Sequence, residues 1–269
     1  MLTLEQLQAG LILPIDKPRC WTSFQAVNKV KSTLRRLYGI KNIKIGHAGT
    51  LDPLATGLLL VCIGRATKQI PTLQDGDKVY TGTLVLGATT PCYDLERPID
   101  AYYPYEHITP ESLEAEASRL TGNIEQVPPI FSAVKIAGQR AYTYARADDP
   151  SAQPQAKTVS VHSFQITAFR PGGTSESESE FKIQNSKFEI PTAHLYNNPQ
   201  GEVPAHLPQA DFRIECGKGT YIRSLARDLG LALGSGAFLS ALRRERVGDY
   251  TVGSALQLEQ VETHLNNLA

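Results

Sequence analysis

The chain has 269 residues, 41% hydrophobic and 20% charged, the proportions of a globular protein able to bury a sizeable core. Lysine plus arginine equals aspartate plus glutamate at 27 each, so any attraction to polyanions must be local rather than a property of the whole molecule. The longest strongly apolar run, Leu58–Ile63, is too short to cross a bilayer, and the start of the chain carries Glu5 without a basic lead, so neither a membrane span nor a secretory signal is expected.

The charge is unevenly placed. Residues 1–50 carry eight basic side chains against Glu5 and Asp16, whereas residues 171–215 carry three basic and seven acidic ones. A locally basic third can grip phosphates even in a neutral protein, although a solvated basic helix face is the commoner meaning of such a cluster. The four cysteines, Cys20, Cys62, Cys92 and Cys216, form no CxxC pair and have no histidine at zinc spacing. They read as reduced, mostly buried thiols in a cytoplasmic protein that needs no metal.

In chain order, a helix is predicted from Ser23, as its cap, to about Tyr38, with Phe24, Val27, Val30, Leu34 and Leu37 on one face and Gly39 as its stop. Leu58–Ile63 reads as a buried strand. Lys78–Leu86 alternates around Tyr80, Gly82, Leu84 and Leu86, a strand with one face to a core or cleft. Thr109-Pro110 opens a second helix that ends before Gly122. A short helix is expected near Gln139–Ala147, strands at 157–170 and Asp211–Cys216, and a helix at Tyr221–Leu233. Residues 171–210, rich in proline, serine and glutamate, read as a surface excursion. The absence of a βαβ rhythm points to an α+β fold with a mixed, mostly antiparallel sheet.

The segment richest in chemical information is Gly46-His47-Ala48-Gly49-Thr50-Leu51-Asp52-Pro53-Leu54-Ala55-Thr56-Gly57. Glycine, proline and threonine around a single carboxylate, just before a buried strand, make a specified turn. Such a turn either closes a local Asx hydrogen bond or holds a carboxylate rigidly at the lip of a sheet. No dinucleotide fingerprint, P-loop or zinc spacing accompanies it, so no cofactor is expected.

GHAGTLDPLATGLLLVCIGRATK strongly resembles the catalytic motif of the TruB-type tRNA pseudouridine synthases. Other segments match that family in order: Leu13-Pro14-Ile15-Asp16-Lys17-Pro18 with Ser23; Asp77-Lys78-Val79-Tyr80; Gly122 to Pro129; Ser132 to Lys135 with Gly138; Lys218-Gly219-Thr220-Tyr221-Ile222-Arg223; and Leu242-Arg243-Arg244. The resemblance implies a pseudouridine synthase fold with a cleft. It also implies the isomerisation of a T-loop uridine of tRNA, position 55, by cleavage of the glycosidic bond, rotation of the base and rejoining through C5. It implies a role for each matched residue. Asp52 is the catalytic carboxylate, either adding covalently or stabilising charge at the sugar. Tyr80 stacks on the extruded uracil, and Arg223 pairs with Asp52. Tyr221 lines the uracil pocket, Leu242 forms its apolar wall, and His47 fills the space the flipped base leaves. Lys17 and Lys135 either contact phosphate or support the loop.

The chain departs from the family after the Tyr80 strand. It reads Thr90, Asp94 and Arg97 where LGxxTDTxDxxG is common. About twenty residues follow Tyr250, fewer than a PUA RNA-binding domain needs. One catalytic domain is therefore expected over 1–269, with the excursion at 171–210 inserted in it and a short tail, acting on the tRNA T-arm as a monomer with no obligatory protein partner. A guide-RNA-dependent relative of the dyskerin kind, a non-catalytic RNA-binding protein and a two-carboxylate glycosidase are the competing readings.

Overall fold

The fold starts from short elements whose ends are written into the sequence. In a computed structural model describing residues 3–40, 42–132, 134–136, 138–146, 154–173 and 203–267, the chain runs α1 (Leu4–Ala9), β1 (Leu11–Lys17), α2 (Ser23–Tyr38), β2 (Ile45–His47), β3 (Thr56–Ile63), α3 (Ile70–Asp75), β4 (Lys78–Leu86), β5 (Ala88–Thr89), β6 (Ala101–Tyr102), α4 (Pro110–Arg119) and β7 (Gly122–Gln126). It continues through β8 (Lys135–Ile136), β9 (Gln139–Arg140), α5 (Ala141–Arg146), β10 (Lys157–Arg170), β11 (Gln209–Cys216), α6 (Ile222–Ala232), β12 (Ala237–Val247), β13 (Tyr250–Thr251), β14 (Leu256–Gln257) and α7 (Val261–Asn267). The backbone divides into two units, Met1–Tyr80 with Leu242–Ala269, and Thr81–Ala241. Strands β4 and β12 contribute residues to each.

In the first unit β14 runs parallel to β1, β1 antiparallel to β3, and β3 parallel to the end of β12. Strand β2 and the short β13 pair antiparallel with β3 and β12. Every residue of Leu58–Ile63 is fully buried, as the continuous apolar run predicts for a central strand covered on both faces. Helix α2 covers one face through Ala26, Val27, Val30 and Leu34. Its cap is Thr22, not Ser23: the Thr22 hydroxyl accepts the Gln25 N–H while the Gln25 side chain reaches back, a closed capping box. Gly39 ends it in the left-handed conformation at φ 64°, as expected. Phe24 is exposed rather than part of the buried face, because it follows buried Ser23 by about a quarter turn and so points aside.

In the second unit the strand order is β12, β4, β11, β10, β7, with β10 antiparallel to both neighbours. Helix α4 starts at Thr109 and Pro110, and α6 packs Ile222, Leu225, Ala226 and Leu229 inward. Phe164 and Phe212 meet edge to face at 6.1 Å between ring centres on β10 and β11. The short helix near 139–147 begins only at Ala141, because Gln139 and Arg140 pair with Lys135 and Ile136 as a hairpin. Strand β4 is buried at both its ends rather than alternating. Of the acidic excursion, residues 174–202 lie outside the described residues; its ends adjoin, since Arg170 and Gln209 are register partners. The sheet is therefore mixed, with antiparallel pairs in the majority among the described strands, and the fold is α+β.

Candidate active site

Asp52 sits half-buried in a loop, 48–55, between β2 and β3. Its backbone has little freedom. At the entry, the Ala48 N–H donates to the Leu60 carbonyl at 2.9 Å. In the middle, the buried Ser23 hydroxyl accepts the Leu51 N–H at 2.9 Å and donates to the Leu51 carbonyl at 3.1 Å, a two-way clip one residue before Asp52. Just beyond, the Cys20 N–H donates to the Pro53 carbonyl at 2.9 Å and the Ala55 N–H to that of Asp52 at 3.1 Å. Ser23 thus serves the loop rather than its own helix, which is why the cap falls to Thr22.

Two buried cations lie under the same loop. The Lys17 ammonium donates to the carbonyls of Trp21 at 2.6 Å, Pro18 at 3.1 Å and Pro53 at 3.3 Å. Lys17 is fully buried and reaches the loop through the Pro53 carbonyl. Burial drives its pKa down to about 8, while the Asp52 charge works against that shift and places carboxylate and ammonium within electrostatic reach. The Arg244 guanidinium, equally buried, donates from Nε to Leu58 at 2.8 Å and from its two Nη atoms to Thr50 at 3.4 Å and Gly49 at 3.0 Å. Beside it Arg243 forks onto Asp16 at 2.8 and 3.0 Å. Gly57 stands against Arg244 with φ 99°, and a Cβ there would lie 2.3 Å from the Arg244 carbonyl, so no other residue fits.

The remaining expected residues of this unit are Tyr80, buried on β4; Leu242, half-buried on β12, whose carbonyl accepts the Thr56 hydroxyl at 3.5 Å; and His47 at the end of β2. Burial lowers the pKa of the His47 imidazole, a backbone contact at Gly49 works against that shift, and its Nδ1 is buried without a hydrogen bond.

Tyr221 and Arg223 open α6 in the second unit. The buried Gln126 side chain grips the Tyr221 backbone twice, accepting its N–H at 2.8 Å and donating to its carbonyl at 3.2 Å. Arg223 is buried, donates to the carbonyls of Cys92 at 3.1 Å and Phe131 at 3.0 Å, and lies 3.7 Å from the Asp94 carboxylate. Asp94 comes from the stretch that departs from the family pattern. The Thr90 hydroxyl and the Cys92 thiol both donate to its carbonyl, and Tyr93 takes a left-handed φ of 61° to bring it round. Burial pushes the Cys92 thiol pKa up, so it stays protonated and can donate. Arg97, at the place of the usual glycine, stacks 5.7 Å over the Phe131 ring. Lys135 is exposed on β8.

Sequence reasoning passed over Asp94, Gln126 and Arg244. Gln126 and Arg244 lay within quoted motifs without a role, and Asp94 stands in a stretch where Pro91, Cys92 and Arg97 depart from the family pattern. Among the described residues no group of histidine, cysteine or carboxylate side chains is arranged to hold a metal, and no helix is long and apolar enough to cross a membrane.

A chain in the crystal structure of a Cbf5-Nop10-Gar1 complex matches with a TM-score of 0.61 and 24% identity, over 96% of this chain and 55% of that one. A chain in an H/ACA RNP bound to a substrate RNA containing 2'-deoxyuridine matches with 0.59 and 22%, over 98% and 56%. This chain therefore spans little more than half of theirs, and the part shared is the pseudouridine synthase fold. A family model for the TruB family pseudouridylate synthase (N terminal domain) matches residues 35–189, and one for the tRNA pseudouridylate synthase B C-terminal domain matches 223–268. The tRNA pseudouridine synthase B of Flavobacterium johnsoniae is 44% identical over 98% of this chain and its own full length. That of Phocaeicola vulgatus is 44% identical over 93% of this chain and 91% of its own, and that of Thermobifida fusca 41% identical over 94% and 74%. The chain belongs to the TruB family and is a tRNA pseudouridine synthase, an isomerase acting on RNA.

Proposed function

We propose that this enzyme isomerises the uridine at position 55 in the T-loop of tRNA, with Asp52 as its catalytic carboxylate. The observation that carries the reading is the Asp52 loop itself. Its backbone is tied down at Ala48, Gly49, Thr50, Leu51, Pro53 and Ala55 by hydrogen bonds that leave the Asp52 side chain as the loop's only charged group. A carboxylate so fixed can attack or stabilise the sugar while the N1–C1' bond breaks, without the cost of reorganising at the moment of reaction. The base then turns and rejoins through C5, the C5 proton is lost and the freed N1 takes up a proton; no redox change and no net water are involved, so no cofactor is required.

The other residues take roles that follow from their chemistry. The target base must leave its stack to be reached, and the ring of Tyr80 offers it a face. Each of the other matched residues keeps the role its family position implies: Leu242 gives the uracil an apolar contact, Tyr221 lines its binding place, and His47 fills the gap the base leaves. Arg223 supplies the guanidinium that the family pattern pairs with the catalytic aspartate, a planar fork suited to a carboxylate. The tRNA backbone is gripped by exposed cations, Lys135 among them, on one catalytic domain that works as a monomer with no protein partner.

An unmodified tRNA transcript incubated with the protein alone, mapped by carbodiimide and primer extension, tests this. Conversion of one T-loop uridine is expected, with Asp52→Asn binding the transcript and converting none. Conversion only when a guide RNA is added, or by Asp52→Asn as well, would refute it.

A further inference from the structure

Arg244 sits in the interior of β12, yet it is one of the largest fully buried side chains of the protein. A strand position that only had to pack would take an apolar residue, since a buried guanidinium is costly to desolvate. No carboxylate offsets that cost in the contacts Arg244 makes; its hydrogen bonds run from Nε to the Leu58 carbonyl and from its Nη atoms to those of Thr50 and Gly49. Gly49 and Thr50 precede Asp52 in the loop, and Leu58 follows it in β3. One planar fork therefore joins the two ends of the loop from beneath, which a flexible ammonium cannot do with the same geometry. The backbone reinforces this: Arg243 and Arg244 are register partners of Thr56 and Gly57, the residues at the loop's exit.

We infer that Arg244 is a positioning residue for the reaction, holding the Asp52 loop at its catalytic distance by tying Gly49 and Thr50 to Leu58. The inference rests on the assignment of Asp52 given above. A loop released by even a fraction of an ångström lowers the rate of the chemical step and leaves the RNA-binding surface as it was.

The test measures tritium release from a tRNA transcript carrying 5-tritiated uridine, under single turnover at saturating enzyme, beside tRNA affinity and thermal melting. Arg244→Gln is expected to lower the single-turnover rate about 100-fold with tRNA affinity within about threefold of wild type, and Arg244→Lys to recover part of it, to within about tenfold. Should Arg244→Gln not fold, Arg244→Lys alone decides: a rate clearly below wild type at unchanged affinity supports the role. A full rate in either folded variant, or a loss seen only as weaker tRNA binding, overturns it. Asp52→Asn runs alongside: if it is inactive while Arg244→Gln is fully active, only the Arg244 inference fails, and if Asp52→Asn is active the assignment beneath it has failed.

Discussion

Arg223 and Asp94 form a buried pair, 3.7 Å apart, in which the arginine also donates to the Cys92 and Phe131 carbonyls. Breaking a pair of this kind from one side strands the remaining charge. Asp94→Asn is nearly isosteric, so it should fold but lose about 3 kcal/mol or more. The melting temperature is expected to fall by several degrees and the rate of pseudouridine formation by at least about tenfold, because Arg223 is no longer held at its carboxylate side. Thermal melting and single-turnover kinetics on a tRNA transcript check both.

Ser23 and Thr22 separate loop support from helix capping. Ser23→Ala leaves the Leu51 N–H and carbonyl without their buried partner, a cost of roughly 1–3 kcal/mol, and should slow the reaction. Thr22→Ala removes an exposed cap worth about 1 kcal/mol and should leave the rate per folded molecule unchanged. Equal rates in the two variants would show that the clip on Leu51 has no bearing on catalysis.

Lys17 gives a pH signature. Its pKa of about 8 in the folded protein lies below the ordinary 10.5. Between those values the unfolded chain binds more protons than the folded one, so the Lys17 contribution to stability rises with pH across that window and is lost again as pH falls through about 8. The whole effect is on the order of 3 kcal/mol. Lys17→Met lacks it. Stability measured by denaturant at pH 7.5 and 10 should therefore shift in favour of wild type at the higher pH, and parallel curves for the two proteins would contradict the assignment.

A cleft of about 250 Å3 lined by Lys44, Arg65 and Lys68, with Asn42, Gln8 and Thr67 between them, offers three exposed cations to a phosphate backbone. Neutralising each to alanine should weaken tRNA binding, reduce the steepness of the affinity against salt by roughly one phosphate contact per cation, and leave the saturated rate alone. Affinities measured across a salt series decide it; an unchanged slope would place the RNA elsewhere.

Much of this was legible in the residues. The capped helices at Ser23–Tyr38 and Pro110–Arg119, the buried strand at Leu58–Ile63 and the tight Asp52 loop follow from periodicity and turn chemistry, which act locally. Long strand β12 was not predicted, because Ala237–Val247 mixes buried and exposed residues without alternation and Arg244 looks like a surface residue until its carbonyl partners fold around it. Asp94 escaped for a similar reason. Its place beside Arg223 depends on Tyr93 adopting a left-handed backbone and on Thr90 and Cys92 closing the turn, choices no spacing rule records. Lys17 counts as a basic residue in the sequence and as a buried tether in the fold.

The hairpin of β10 and β11 closes firmly before the excursion begins. Arg170 and Gln209 are paired, and Arg170 forks onto Asp211, which also accepts the Thr83 hydroxyl. A connection whose two ends are already clasped adds only a slowly growing entropic cost with its length. The clasp takes in Leu207, which is buried, and Pro208, whose carbonyl accepts the Leu86 N–H, so a lineage can vary the length of the connection that precedes them while the sheet and its chemistry stay fixed.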